Sequence, residues 1–550
     1  MTRRGRIVAA VLLIGCIAVV GRLVQLQILQ HGHWQTVAAS VQERTIELPP
    51  RRGAILDRDG NLLAFDVKAI AIAVDGYNMT KPATLVAILG EELDRPTGEI
   101  EDLVYRASYF TWIDRRVDLD TAQRIERRAD EAGIHGLIFL DTWKRRYPQG
   151  SLASNLLGFV GTDGEGLEGL ELQFDETLSG IPTRLHVLEG ADGRTYDVEV
   201  LDEGTPGEDL ALTIDAEFQF ICEEEIARGV DRFQADAGMM IVLDPRTGEI
   251  LAMAQDKVYD LNRFWTSTGA QRQNLAVTYQ FEPGSVFKVF AGLAALQLDL
   301  VTIGETFDGD DGILVGGHVM HNSDNHSFGT VTFAEIIEES VNTGMIQVAQ
   351  RVGADALRDT LARLGFGAVT GIELPGEIPG ILRPAAAWTD LDLAASSIGQ
   401  SVAVTGVQLA AALGAVANDG RWIAPSIVAG SQKATASTGI GAEACATMRD
   451  LMRLVVKSGT GTYAAIDGFD IAGKTGTAQK ATPGRGYVDG KYTSLFTGML
   501  SAATPEYVVL VVLDEVKTTP VWGGYTAGQI FRDATERMIH AERIAPTFGP

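Results

Sequence analysis

Three short polar clusters interrupt apolar stretches in the C-terminal half of this sequence, and each carries residue types suited to nucleophilic attack, proton transfer or the holding of an anion. The first, "FEPGSVFKVFAGLAAL", sets Ser285 and Lys288 three residues apart at the start of a pattern that is apolar almost all round. Residues i and i+3 share a helical face, so the hydroxyl and the amine are neighbours. The breaker Glu282-Pro283-Gly284 puts Ser285 near the first turn, where unpaired N–H groups and the helix dipole favour developing negative charge. Val286, Phe287, Val289, Phe290, Leu293 and Leu296 surround the amine with hydrocarbon. Desolvation lowers a lysine from its ordinary pKa of about 10.4 and makes the neutral amine accessible near pH 7. A neutral amine beside a hydroxyl is a general base beside a nucleophile. Taken alone, the spacing fits a helix-capping serine and an outward lysine better than a catalytic pair.

A relay hydroxyl must come from elsewhere, and two Ser-x-Asn triplets offer one. Ser340 and Asn342 interrupt the helical pattern "TFAEIIEESVNTGMIQVAQRVG", whereas Ser323–Asn325 sits in the polar loop "GGHVMHNSDNHSFG". A hydroxyl is fixed best between packed helices, which selects Ser340 and Asn342 and leaves Ser323 in reserve. The third cluster is "GKTGT", with Lys474, Thr475, Gly476 and Thr477 inside a strand pattern. Its glycines permit close backbone approach, its edge can pair with a peptide, and its cation and hydroxyls suit a carboxylate. A surface turn explains that segment equally well if it stands alone.

The elements that must position these clusters can be read around them. From about Glu208, "LALTIDAEFQFICEEEIARGV" predicts a strand and an amphipathic helix, and "AGMMIVLDPRTGEILAMAQD" a hairpin. A helical section runs from about 280 to 425. "FDIAGKTGTAQ", "SLFTGMLSA" and "YVVLVVLDEV" predict three successive strands, and "TAGQIFRDATERMIHAER" a closing helix. Strands at both ends with helices between imply one antiparallel sheet holding an inserted helical subdomain. Residues 30 to 207 form a mixed region without periodicity strong enough for one tight core. It holds "RRGAILDRDGNLLA", with turns between short strands, and a glycine-rich loop around "GTDGEGLEGLE".

With 550 residues, 46% hydrophobic and 21% charged, the chain is globular and too long for one ordinary domain. A net charge of −26 argues against nucleic acid, whose phosphates need basic patches. Cys16, Cys222 and Cys445 have no metal-ligand spacing. His318, His321 and His326 lie in a solvated loop without a zinc motif, and no cofactor or metal is expected. "KSGTGTYA" near Lys457 lacks the layout of a phosphate loop. "WKRRYP" (Trp143–Pro148) reads as an ion-pair network. At the N-terminus, Arg3, Arg4 and Arg6 precede an apolar run over 7–29 whose single charge is Arg22, with Gln25 and Gln27 near the far headgroups. About 20 apolar residues span a bilayer, and the basic leader stays in the cytoplasm. The expectation is an uncleaved anchor with everything after about residue 30 outside. The alternatives are a signal peptide cut near Ala38–Ser40 and a lipoprotein box ending at Cys16.

The order Ser-x-x-Lys, Ser-x-Asn, Lys-Thr-Gly is far more specific than any of its parts. On "FEPGSVFK", "ESVNTG", "AGKTGTAQ", "DPRTGEILAM", "RRGAILDRDGNLLA" and "GLEGLE", the chain resembles a class B, monofunctional penicillin-binding protein, most closely the division-specific FtsI type. One departure is Val341, where the family often has serine. The resemblance implies an α+β fold: a penicillin-binding/β-lactamase-like transpeptidase domain with a five-stranded antiparallel sheet at 208–550. A cytoplasmic tail at 1–6, a transmembrane anchor at 7–29 and an elongated pedestal at 30–207 would precede it. It implies a peptidoglycan D,D-transpeptidase of the bacterial cytoplasmic membrane, active on its outer side and inhibited by β-lactams. Ser285 would be the nucleophile and Lys288 its base. Ser340 would pass a proton to the leaving amine, and Asn342 would bind the substrate amide and orient Lys288. Lys474, Thr475 and Thr477 would hold the terminal carboxylate beside Gly476. The backbone N–H groups of Ser285 and Thr477 would form the oxyanion hole. Implied partners are stem peptides ending in D-Ala-D-Ala, β-lactams, a SEDS-type glycosyltransferase (FtsW/RodA-like) and division proteins. The rivals are an elongation-type transpeptidase, a serine β-lactamase or β-lactam sensor of the same fold, and a catalytically silent scaffold.

Overall fold

The computed structural model describes residues 3–32, 43–107, 110–189, 195–482 and 486–547. Packing divides the chain into two units, one of residues 1–53, 66–144 and 179–208, the other of 54–65, 145–178 and 209–550. Segments 54–65 and 145–178, from inside the expected pedestal, thus pack within the second unit.

The first unit begins with the helix Arg3–Val24, extended by a π-helical turn over Gln25–Leu29. Its 27 residues rise about 40 Å, enough for the roughly 30 Å hydrocarbon core of a bilayer. It runs through Cys16 without a break and buries no residue. Arg22 Nη1 donates to Gln25 Oε1 at 2.8 Å, so the one charge in the run is directed along the helix toward its C-terminal end. The alternative cleavage point at Ala38–Ser40 lies outside the described residues. Further on, Thr183–Glu189 pairs antiparallel with both Glu43–Leu48 and Thr195–Asp202.

Contrary to the sequence reading, this unit has a core of its own. Ile72, Val74, Leu85, Leu89, Ile100, Val104 and Ile125 are buried together, between the strand Leu62–Val74 and the helices Pro82–Glu92, Thr97–Tyr105 and Leu119–Ala132. The last helix, "LDTAQRIERRADEA", buries only Ala122, Ile125 and Ala129, a face too narrow to stand out among its charges. Lys144 pairs with Asp118 at 2.9 Å here.

In the second unit, Arg145 pairs with Glu171 at 2.7 Å, both side chains buried, and Tyr147 Oη donates to the same carboxylate. The "WKRRYP" segment is therefore built from ion pairs. The main sheet runs β2-β1-β5-β4-β3, antiparallel throughout, with β1 Ala237–Asp244, β2 Glu249–Gln255, β3 Ile471–Thr482, β4 Gly486–Leu500 and β5 Tyr507–Asp514. Alternating side chains give it two faces. Met240, Val242, Val509 and Val511 meet Phe218, Ile226, Phe531 and Met538 of α1 (Ala216–Phe233) and α7 (Ala527–Glu542). Met239, Ile241 and Leu510 meet the inserted helices, among them α2 (Phe287–Gln297), α3 (Phe333–Glu338), α4 (Asn342–Val352), α5 (Gly406–Ala417) and α6 (Ala442–Lys457). The sheet assembled from both ends of the segment and the apolar α2 are as the sequence predicts. β3, with GKTGT, is an edge strand, so one side of its backbone is free to meet a ligand.

Candidate active site

Ser285 sits in the 3-10 turn Gly284–Val286 that leads into α2, and Lys288 is the second residue of α2. The spacing therefore falls on a continuous helical path. Lys288 is completely buried, as are Phe287, Val289, Phe290 and Leu293 of the same helix, while Ser285 is half-buried. Ser285 Oγ has no hydrogen-bond partner among the described residues, which leaves the nucleophile's lone pairs open.

Ser340 occupies the break between α3 and α4. α3 opens with a capping box, Thr332 with Glu335, and ends at Glu338; Ser340 then takes a left-handed conformation with φ 62°, which lets α4 start at Asn342. A non-glycine residue there costs about 1–2 kcal/mol. Its side chain and carbonyl anchor it. Lys288 Nζ donates to the Ser340 carbonyl oxygen and, at 3.1 Å, to Ser340 Oγ. Lys474 Nζ donates to the same Oγ at 2.9 Å and to the Thr475 carbonyl at 3.3 Å. A hydroxyl has two acceptor lone pairs and one proton. With both lone pairs facing amines, the Ser340 proton is left for a substrate atom. Ser323, the reserve, is exposed in the turn Ser323–Asn325 and away from these bonds.

GKTGT reaches the nucleophile by close backbone contact. A Cβ on Gly476 would lie 2.9 Å from the Pro283 carbonyl oxygen, and one on Gly284 would lie 3.0 Å from the Thr477 carbonyl oxygen. The Thr477 carbonyl thus faces the Ser285 turn. Along a strand, one residue's N–H and C=O point to the same side, so the Thr477 N–H faces that turn too. Thr477 is half-exposed and its Oγ1 accepts from the Gly523 N–H at 3.1 Å. Thr475 is 7% exposed, with its hydroxyl 2.9 Å from that of Thr460.

Electrostatically, the site holds two lysines, and among the described residues no carboxylate is bonded to either. Burial pushes Lys474 down to about 7. Burial also takes Lys288 well below the ordinary lysine value, and the neighbouring Lys474 charge pushes it further. Both amines therefore hold their protons less tightly than an exposed lysine does. Two buried lysines of lowered proton affinity that meet on Ser340 Oγ, a serine one helical turn before Lys288, and an edge strand are groups suited to acyl transfer through a serine ester.

Asn342 takes a position the sequence did not convey. Its Nδ2 donates to the His321 carbonyl at 2.8 Å, so its amide is bonded to the histidine loop and not to Lys288. The residue missed altogether is Asn322. Buried, it accepts at Oδ1 from the N–H groups of Asn342 (2.9 Å) and Thr343 (3.0 Å), and donates through Nδ2 to Gly309 and His326. It caps α4 from twenty residues upstream, with no local signal beyond an asparagine in a loop. His321 Nδ1 lies 2.7 Å from Asp311 Oδ2, and among the described residues no group of three or more His, Cys, Asp or Glu is placed to hold a metal. An Asn322→Ala protein is expected to expose the first turn of α4. Amide exchange at Asn342 and Thr343 should quicken about tenfold or more, while the centre of α1 is unchanged. Hydrogen exchange resolved to single amides checks this.

These features, around a Ser-x-x-Lys turn, are suited to a serine acyltransferase. Residues 238–536 match the penicillin binding protein transpeptidase domain, and residues 47–212 the penicillin-binding protein dimerisation domain. The chain belongs to the class B penicillin-binding proteins. It is 32% identical to the probable peptidoglycan D,D-transpeptidase PenA of Neisseria gonorrhoeae, over 100% of this chain and 94% of that protein. It is 27% identical to the peptidoglycan D,D-transpeptidase FtsI of Escherichia coli, over 97% and 92%. Penicillin binding protein 3 of Mycobacterium tuberculosis, in its crystal structure complexed with ampicillin, matches with a TM-score of 0.71 at 27% identity, over 92% of this chain and 98% of that one.

Proposed function

We propose that this chain is a membrane-anchored peptidoglycan D,D-transpeptidase that cross-links stem peptides through an acyl-enzyme on Ser285. The observation that carries this reading is the convergence of two buried amines of lowered proton affinity, Lys288 and Lys474, on Ser340 Oγ, with Lys288 one helical turn from Ser285.

Neutral Lys288 takes the Ser285 proton as Oγ attacks the carbonyl carbon of the penultimate D-alanine. The oxyanion is met by the N–H groups of Ser285 and Thr477, each worth about 3 kcal/mol. Lys474, with Thr475 and Thr477, holds the terminal carboxylate, and Gly476 admits the peptide to the edge strand. Asn342 contributes its amide oxygen to the substrate backbone. Ser340 protonates the departing nitrogen and is reprotonated by Lys288, the C–N bond breaks and D-alanine leaves. An amine from a neighbouring stem then attacks the ester, passes its proton back through the same groups, and Ser285 is restored. β-Lactams, which share the donor's carboxylate and set a ring-strained amide carbonyl in place of its scissile one, acylate Ser285 and stay.

The assignment of 1–6 as cytoplasmic tail, 7–29 as anchor, 30–207 as pedestal and 208–550 as catalytic domain belongs to this proposal, with the catalytic domain on the outer face of the cytoplasmic membrane. So do a septal role and partnership with a SEDS-type glycosyltransferase and division proteins, both supported by the likeness to FtsI. Given uncross-linked peptidoglycan bearing pentapeptide stems, the purified full-length protein is expected to release D-alanine in step with cross-linked dimers. Release without dimers would make it a hydrolase, and no release would overturn the reading.

A further inference from the structure

The glycine-rich stretch Lys457–Tyr463, "KSGTGTY", has no part in the mechanism above, yet it joins two of the motifs. Ser458 Oγ donates to Glu338 Oε1 at 2.5 Å, and the Thr460 N–H donates to the Glu338 carbonyl at 3.3 Å. A Cβ on Gly459 would lie 2.3 Å from that carbonyl oxygen, so only glycine allows this approach. The Gly461 N–H returns to the Val455 carbonyl at 2.8 Å, which closes the loop onto α6. Glu338 ends α3, two residues before Ser340. On its other side the loop meets β3, where the Thr460 and Thr475 hydroxyl oxygens lie 2.9 Å apart. Thr475 is nearly buried, whereas Thr460 is exposed.

We propose that Thr460 is a positioning residue for the carboxylate end of the acyl donor: its hydroxyl donates to Thr475 Oγ1 and so turns the Thr475 proton toward the substrate carboxylate. This rests on the proposed transpeptidase reading. Two hydroxyls at that distance share one proton between them, and the other proton is free. Thr460, held by its backbone to the segment carrying Ser340, fixes which proton that is. A Thr475 hydroxyl without this partner can spend its proton on a neighbouring carbonyl and present the carboxylate with a lone pair. The loop also ties the Ser340 segment to the strand carrying Lys474, so the carboxylate site and the relay hydroxyl keep one spacing.

The test compares acylation of Ser285 by benzylpenicillin and by its methyl ester, which lacks the anionic carboxylate. Thr460→Val keeps the shape and removes the hydroxyl. It is expected to lower the acid-to-ester rate ratio about tenfold, the worth of one hydrogen bond to a charged group, while the ester rate holds. Thr460→Ser should restore the ratio. In a Thr475→Val background the same change should add nothing, since Thr460 acts through Thr475. A ratio unmoved by Thr460→Val, equal losses for acid and ester, or additive effects in the double variant would overturn the proposal. Should Thr460→Val fail to fold, Thr460→Ala read against Thr460→Ser gives the same comparison. Failure of the wild-type protein to be acylated by benzylpenicillin would instead count against the transpeptidase reading.

Discussion

A Ser285→Ala protein is expected to take up no penicillin label and to release no D-alanine, a fall of about 10⁶-fold or to background. The reason is positional. Ser285 lies in the turn faced by the open backbone of β3 and is the helix-start hydroxyl of the site. Ser340 cannot replace it, because its oxygen is held by both lysine amines. Ser285 is half-buried at the first turn, with no side-chain bond to the rest of the protein, so its loss should leave the fold intact. Circular dichroism and the melting profile should match the wild type while labelling vanishes. Retained labelling at a wild-type rate would place the nucleophile elsewhere. A scaffold would keep its cellular role with this substitution, whereas an enzyme would lose it.

Lys288→Met is expected to slow acylation by roughly 10³-fold, within the range for loss of a general base. It keeps the buried volume and removes the amine. The pH dependence carries the sign. Below its depressed pKa, Lys288 is charged and cannot accept the Ser285 proton, so the wild-type rate climbs as pH rises through that value. Lys474 must stay charged to meet the carboxylate, and burial sets its value at about 7 in the free protein. The second-order acylation rate should therefore form a bell, with its upper limb falling from near pH 7. The two limbs are macroscopic constants of a coupled pair. Lys288→Met should lose the rising limb and keep the falling one. A rate that climbs only near pH 10 would mean that Lys288 keeps an ordinary lysine pKa.

What the sequence conveyed follows from range. Ser285 and Lys288 could be paired because three residues on one helix fix their geometry without tertiary help, and the burial that unsettles the amine is written in its apolar neighbours. Ser340 stood out from Ser323 because a polar triplet inside a helical pattern must break it, and the break is where the chain turns left-handed. The antiparallel sheet could be assembled because β1, β2 and β5 are apolar runs at the two ends of the segment, with β3 and β4 directly before β5. The rest depends on contacts across the chain. Asn322 caps a helix that begins twenty residues later, and Thr460 meets Thr475 only after the sheet and α6 have packed. The placement of 54–65 and 145–178 in the second unit rests on pairs such as Ile55 with Leu210 and the Ala153 N–H with Glu223, which no local pattern announces. The core of the first unit escaped notice because alanine does much of the packing on a charged helix.

The most direct test is peptide mapping by mass spectrometry of the full-length protein after a brief exposure to benzylpenicillin. One adduct is expected, on the peptide containing Ser285, and it should persist for many minutes. An adduct on any other residue, or one lost within seconds, would contradict the Ser285 acyl-enzyme.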